Sequence, residues 1–160
     1  MTVQMTNPMD GLVFFQKALE GGHIAPQKGS IHSDLLMLRD SLNGEARLTY
    51  ALIKNRKVVA TTTFIPVDPI DGHMCFNTGY AVDFSDRSKG YGKEVTQKAF
   101  DELVNGFKRA GIPHLYVEAL VSTKNEHSNK LACRLFSASP RACTDEVSGQ
   151  PAFYYVRQLF

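Results

Sequence analysis

The stretch from His73 to Val121 changes its hydrophobic period twice, and this restricts the fold more than any other feature of the chain. Met74, Phe76, Thr78, Tyr80 and Val82 alternate onto one face of His73–Asp83, the period of a strand. Val95, Ala99, Leu103, Phe107 and Ala110 then fall on one face of a long helix. Gly111 ends that helix and Pro113 prevents its continuation. Alternation returns over His114–Val121 through Leu115, Val117, Ala119 and Val121. A strand, a long helix and a second strand imply a parallel pair joined by a right-handed crossover. Ligands of such sheets sit at the carboxyl ends of the strands, beside helix N-termini.

Asn7-Pro8-Met9-Asp10 is a helix start: Asn7 caps, Pro8 suits the first turn and Asp10 favours the positive end of the dipole. Leu12, Phe15, Ala18 and Leu19 continue the helix to Gly21-Gly22. The spacing of Leu35, Leu38 and Leu42 predicts a second short helix from about Ser33 to Leu42, stopped by Asn43-Gly44. Arg47–Lys54 and Lys57–Val67 read as strands joined by a tight hairpin at Asn55-Arg56, with turn chemistry from Pro66 to Gly72. Asn125–Ser137 reads as a helix, and strands follow near Arg141–Val147 and over Pro151–Phe160. The order predicts an α/β fold of one domain, 1–160, with a mixed sheet and helices on both faces.

The 160 residues include 18 Lys and Arg against 16 Asp and Glu, a balance without the basic stripe of a DNA-binding protein. A hydrophobic fraction of 43% is too high for a disordered chain. Cys75, Cys133 and Cys143 are odd in number and widely spaced, which suits a reducing, cytoplasmic compartment. No metal site is expected, because His73 and Cys75 lack companions at ligand spacing. The sequence shows neither a leader-like N-terminus nor an apolar run of about 18 residues, so no membrane association is expected.

Between the strand and the long helix lies Asp86-Arg87-Ser88-Lys89-Gly90-Tyr91-Gly92-Lys93. Gly90 and Gly92 permit unusual backbone angles and close approach by a ligand. Successive N–H groups at a helix N-terminus can bind a diphosphate, and Arg87, Lys89 and Lys93 add positive charge. The segment is neither a P-loop, which needs Gly at 87 and Ser or Thr at 94, nor a dinucleotide fingerprint, which needs Gly at 95. Taken alone it reads first as a basic turn with glycines opening a helix.

A second motif lies downstream: Val117-Glu118-Ala119-Leu120-Val121, then Asn125-Glu126-His127-Ser128. Together with Tyr80-Ala81-Val82-Asp83 and the R-S-K-G-Y-G loop, these segments resemble the GNAT acetyltransferase superfamily, closest to the branch that acetylates ribosomal-protein N-termini. The resemblance runs from about Arg47 to Phe136. It implies a three-layer GNAT-like fold and acetyl-CoA as cosubstrate. It implies that backbone amides of Arg87, Ser88, Lys89, Gly90, Tyr91, Gly92 and Lys93 hold the CoA diphosphate. Backbone groups of Ala81 and Val82 would pair with the pantetheine arm, an N–H near Val82 would polarise the thioester carbonyl, and Asn125 and Ser128 would touch the arm. Many members carry a tyrosine in the last helix that protonates the leaving thiolate; Ala132 stands there in this chain. Members also close that helix with Gly-Phe, where this chain has Phe136-Ser137.

Transfer to an amine needs a base. Glu118 is the first candidate, on the central strand and on the face away from Val117 and Ala119; a structural carboxylate paired with a cation is the competing reading. Tyr80, Asp83, Tyr154 and Tyr155 are weaker candidates; His127 reads as a helix-surface histidine, and Cys133 lacks the nearby His partner a nucleophile needs. The expected acceptor is a primary amine, either a protein N-terminus or a small molecule. A non-catalytic acyl-CoA-binding module is the alternative, and an interaction domain that merely keeps the fold is the third reading. Phe153, Tyr154, Tyr155 and Phe160 are candidates either for a homodimer surface or for the core.

Overall fold

The computed structural model describes residues 7–160. Residues 1–6, part of the N-terminus where no leader is expected, lie outside the described residues. The elements run α1 (Pro8–Glu20), β1 (Gln27–Lys28), β2 (Leu35–Leu42), β3 (Glu45–Lys54), β4 (Lys57–Ile70), β5 (His73–Val82), α2 (Tyr91–Arg109), β6 (Leu115–Ser122), α3 (Glu126–Leu135), β7 (Arg141–Thr144) and β8 (Pro151–Gln158). The eight strands form one mixed sheet in the order β1-β2-β3-β4-β5-β6-β8-β7. Only β5 and β6 pair in parallel among the described residues, the crossover pair expected from the change of period.

The segment Ser33–Leu42 is not a helix. It carries β2, antiparallel to β3 from Leu35↔Leu52 to Leu42↔Glu45. Leu35 and Met37 pack into the cluster under α2, while Leu36 and Leu38 pack into the cluster under α1. A strand covered on both faces reads as a continuous apolar run, and the leucine spacing then matches a helix by coincidence. Asn43-Gly44, taken as a helix stop, is a two-residue hairpin turn with φ of 52° and 83°. Asn55-Arg56 (51°, 64°) and Asp71-Gly72 (50°, 78°) turn the chain in the same way.

The two faces are filled separately. Leu12, Phe15 and Ala18 of α1 cover Ala51, Val58 and Ala81. Val95, Ala99, Phe100 and Leu103 of α2 cover Leu52, Phe64, Phe76 and Val117. Phe64 is fully buried and meets Tyr50, Phe76 and Phe100 at centroid distances of 5.9, 6.2 and 6.1 Å. Helices on both faces of a mixed sheet follow the sequence reading. The aromatic last strand is largely internal: Tyr155 is 1% exposed, and Phe153 and Phe160 pack against buried clusters.

A charge cluster ties α2 to the sheet. Lys98 Nζ bonds Glu94 at 2.9 Å and also bonds Asp34; Lys54 Nζ lies 3.1 Å from Glu94. Burial works to raise the Asp34 and Glu94 carboxyls. The hydrogen bonds from Lys98, with the charge of Lys54, outweigh it and hold both below their ordinary values. Groups depressed in the folded state stabilise it above their unfolded pKa and lose that contribution as pH falls through the folded value. The urea midpoint is therefore expected to stay level from about pH 7 to 5 and to fall below about pH 4. Asp34→Asn should flatten the fall. A midpoint of the parent that holds constant into strong acid would contradict this.

Candidate active site

The sheet forks at the carboxyl end of its parallel pair. β5 and β6 stay in register from Met74↔Leu115 to Asn77↔Glu118 and then part. β5 remains paired with β4 as far as Val82↔Ala60, and β6 with β8 as far as Ser122↔Ala152. The facing edges of Thr78–Val82 and Ala119–Ser122 thus have no strand partner between them among the described residues. Both α2 and α3 begin at this end of the sheet.

The loop into α2 is built by local bonds. Asp83 accepts from Ser85 N at 3.2 Å and caps a short 3₁₀ turn over Phe84–Asp86. Lys57 Nζ gathers Asp83 at 2.9 Å, Ser85 Oγ at 2.6 Å and Asp86 at 2.8 Å. The hydroxyl of Ser85 and then Lys57 hold the Asp83 carboxyl below its usual value, and Lys57 does the same for Asp86. Ser88 and Gly90 take left-handed conformations at φ 64° and 80°. No side chain caps α2, and the N–H groups of Gly90, Tyr91, Gly92 and Lys93 donate to no protein acceptor among the described residues. Four donors directed away from the helix, at its positive end, can receive an anion.

The basic side chains of the loop differ in availability. Lys89 is held by Asp86 at 3.1 Å, and the Arg87 guanidinium lies 3.9 Å over the exposed ring of Phe84. Lys93 is exposed and has no carboxylate within ion-pair reach among the described residues. The two glycines also differ. A side chain at Gly90 would meet open space, so its left-handed backbone is what calls for glycine. Gly92 is helical and buried, and a Cβ there would touch Tyr80 and Leu131 at 3.4 Å. Sequence reading assigns Gly92 to ligand approach; the structure gives it a packing role as well, because α2 comes close to β5 and α3 at this point.

Across the fork, Tyr80 Oη donates to Ser128 Oγ at 2.7 Å, joining β5 to α3. Asn125 caps α3 by accepting from Ser128 N at 3.1 Å. Ala132, one turn beyond Ser128, is 3% exposed and packs with Ala119, Val121 and Tyr155. Burial raises the Tyr80 phenol, only partly offset by Ser128, so it stays protonated at neutral pH. Thr78, the first residue past the last parallel pair, is 7% exposed, and its Oγ1 is the buried side-chain polar atom without a partner among the described residues. An orphaned buried hydroxyl is costly and asks for a ligand or a water.

Glu118 belongs to the last parallel pair, at the root of the fork, half-buried. By alternation it lies on the face of Asn77 and Ala81, opposite Tyr80. Its Oε2 accepts from Tyr154 Oη at 2.6 Å. Burial, then the bond to Glu118, raises the Tyr154 phenol, so Tyr154 is the donor. Burial and the charge of Glu118 push the Cys75 thiol up to about 12, which leaves no thiolate nucleophile there. Ala81 is buried against α1 and Val82 half-buried toward α2, both on the open stretch of β5. Glu118, Ala81, Val82, Ser128 and the loop 87–93 therefore converge on one end of the sheet. Thr78 and the Tyr80–Ser128 bridge escape a sequence reading, since their roles depend on where β5 and β6 separate. His127 and Cys133 lie exposed on α3.

No protein-family model and no curated protein matches the sequence. Solved structures do match. The ribosomal L7/L12 alpha-N-protein acetyltransferase RimL, in complex with coenzyme A, aligns with a TM-score of 0.52 and 19% identity over 69% of this chain. The chain spans 61% of that RimL chain. The chain has the GNAT acetyltransferase fold. An N-acetyltransferase from Staphylococcus aureus Mu50 aligns over 99% of this chain and 81% of its own, with a TM-score of 0.51 and 16% identity. A spermidine N-acetyltransferase chimera from Vibrio cholerae and hSSAT gives a TM-score of 0.55 and 13% identity over 71% and 68%. Among the described residues, no helix is long and apolar enough to cross a membrane.

Proposed function

We propose that this chain is an acetyl-CoA-dependent N-acetyltransferase, one domain over 1–160, that moves an acetyl group to a primary amine. The observation that carries the reading is the fork between β5 and β6, with an orphaned Thr78 hydroxyl at its root and unsatisfied N–H donors at Gly90–Lys93. These groups fit the cosubstrate: open strand edges match the amides of a pantetheine arm, and helix N-terminal amides match a diphosphate. Acetyl-CoA supplies an acetyl group activated as a thioester. Backbone amides of 87–93 hold the diphosphate, with Lys93 and Arg87 adding charge and Lys89 acting through Asp86 on the shape of the loop. The backbone of Ala81 and Val82 and the side chains of Asn125 and Ser128 position the arm.

Glu118 takes the proton from the amine on one face of the sheet. On the other face Tyr80 gives a proton to the departing thiolate; its hydroxyl donates to Ser128, one helical turn before Ala132, where the resemblance calls for a tyrosine. RimL is a ribosomal L7/L12 alpha-N-protein acetyltransferase, and the chimera is a spermidine N-acetyltransferase. A peptide N-terminus is the first acceptor to test for this chain. Three free cysteines, one of them exposed, suit a reducing, cytoplasmic setting.

The buried Ala132 favours one second reading, an acyl-CoA-binding module without turnover. Thiol release from acetyl-CoA, followed with peptides of differing first residue and with spermidine, separates the two. Amine-dependent release with an acetyl mass gain on the amine is expected. Saturable acetyl-CoA binding without release for any amine would leave the binding module.

A further inference from the structure

A cavity of about 400 Å³ lies between the β1–β3 edge of the sheet and the C-terminal half of α2. It is walled by Lys28, Tyr50, Asn105 and Arg109 with Gly29 and Glu102. It is remote from the fork, since Glu102 stands on the order of 16 Å along α2 from Tyr91. Its size is that of a small-ligand site.

The walls are held rigidly. Glu102 is 7% exposed and accepts three backbone N–H groups, from Ser30 at 2.9 Å, Ile31 at 2.7 Å and His32 at 2.8 Å. Gly29 fits only as glycine, because a Cβ would come within 2.5 Å of the His32 carbonyl and 2.6 Å of Glu102 Oε1. Those three donors turn the Glu102 charge toward the loop. Tyr50 is 6% exposed, and its hydroxyl bonds to no protein group among the described residues. That hydroxyl is reached by solvent, and Tyr50 lines the cavity. Burial, then the charge of Glu102, pushes the phenol up to about 12, which keeps it a donor.

The cations here also lack partners. Lys28 and Arg109, both exposed, have no carboxylate within ion-pair distance among the described residues, so their donors are free for a ligand. The Asn105 side chain, which lines the cavity, has no hydrogen bond among the described residues either. We propose that this cavity binds a small organic oxyanion, a carboxylate or phosphate held by Arg109 and Lys28 with Tyr50 and Asn105 as neutral donors. An ammonium, a phenol, an amide and a guanidinium line this cavity, beside a Glu102 carboxylate already met by three backbone N–H groups, and such donors complement an oxyanion.

Amide NMR of the intact chain, titrated separately with succinate and with inorganic phosphate in a chloride buffer, tests the site. At least one probe should shift the Gly29, Asn105 and Gly106 amides and saturate near or below about 1 mM. Arg109→Gln, an exposed position that spares the core, should weaken that binding about tenfold or more, and Tyr50→Phe several-fold. Saturation by succinate alone assigns a carboxylate ligand; saturation by phosphate alone assigns a phosphate-bearing one. Amides that do not move with either probe, or an Arg109→Gln variant that titrates like the parent, would overturn the proposal.

Discussion

Replacing Glu118 with glutamine is expected to lower kcat for acetyl transfer by about 10²–10³-fold, the usual contribution of a positioned base. The variant keeps the shape of the side chain, and its amide oxygen can still accept from Tyr154, whose bond to Glu118 is 2.6 Å. The fold and the cosubstrate site are therefore spared, and acetyl-CoA affinity should be unchanged. Tyr154→Phe removes a group that acts only through Glu118, so its effect should be about tenfold on kcat with little change in KM. A purely structural Glu118 predicts the reverse pattern: thermal stability falls and kcat holds. Stopped initial rates at saturating amine, with a melting curve for each variant, distinguish the two.

The second large effect belongs to the loop. Gly90→Val places a β-branched residue at φ 80° with no neighbour within 4 Å of the new Cβ. The strain of a left-handed β-branched residue, on the order of 1–2 kcal/mol, can be relieved only by moving the loop. Loss of two charge-assisted donors then weakens acetyl-CoA binding by about 100-fold or more. Gly92→Val is a poorer probe, because its side chain would press on Tyr80 and Leu131 and perturb packing together with binding.

Much of this organisation is legible in the sequence, and the failures are instructive. The strand–helix–strand order over 73–121 stands out because period 2 and period 3.6 cannot be confused over that length. The Asn55-Arg56 hairpin follows from two apolar runs separated by two residues. β2 is missed because both faces of its first half, Leu35–Leu38, are covered, which erases alternation there and leaves Leu35, Leu38 and Leu42 at helical spacing. The overlooked signal is Asn43-Gly44, a favoured hairpin dipeptide that competes with the helix-stop reading. The Arg87–Lys93 loop is legible as a motif, yet the engagement of Lys89 by Asp86 and of Arg87 by Phe84 depends on folded neighbours. Thr78, Tyr80 and Tyr154 become informative only through register: where β5 leaves β6, and which residue of β8 reaches Glu118. The anion cavity joins segments more than seventy residues apart, Ser30 to Glu102, so no local pattern announces it.

Calorimetric titration of acetyl-CoA into the parent chain and into Gly90→Val tests the central claim most directly. Saturable one-to-one binding by the parent, weakened about 100-fold in a variant that remains folded, is the predicted result. A folded parent that takes up no acetyl-CoA, or a variant that binds it as tightly as the parent, would contradict the placement of the cosubstrate in the fork and at the start of α2.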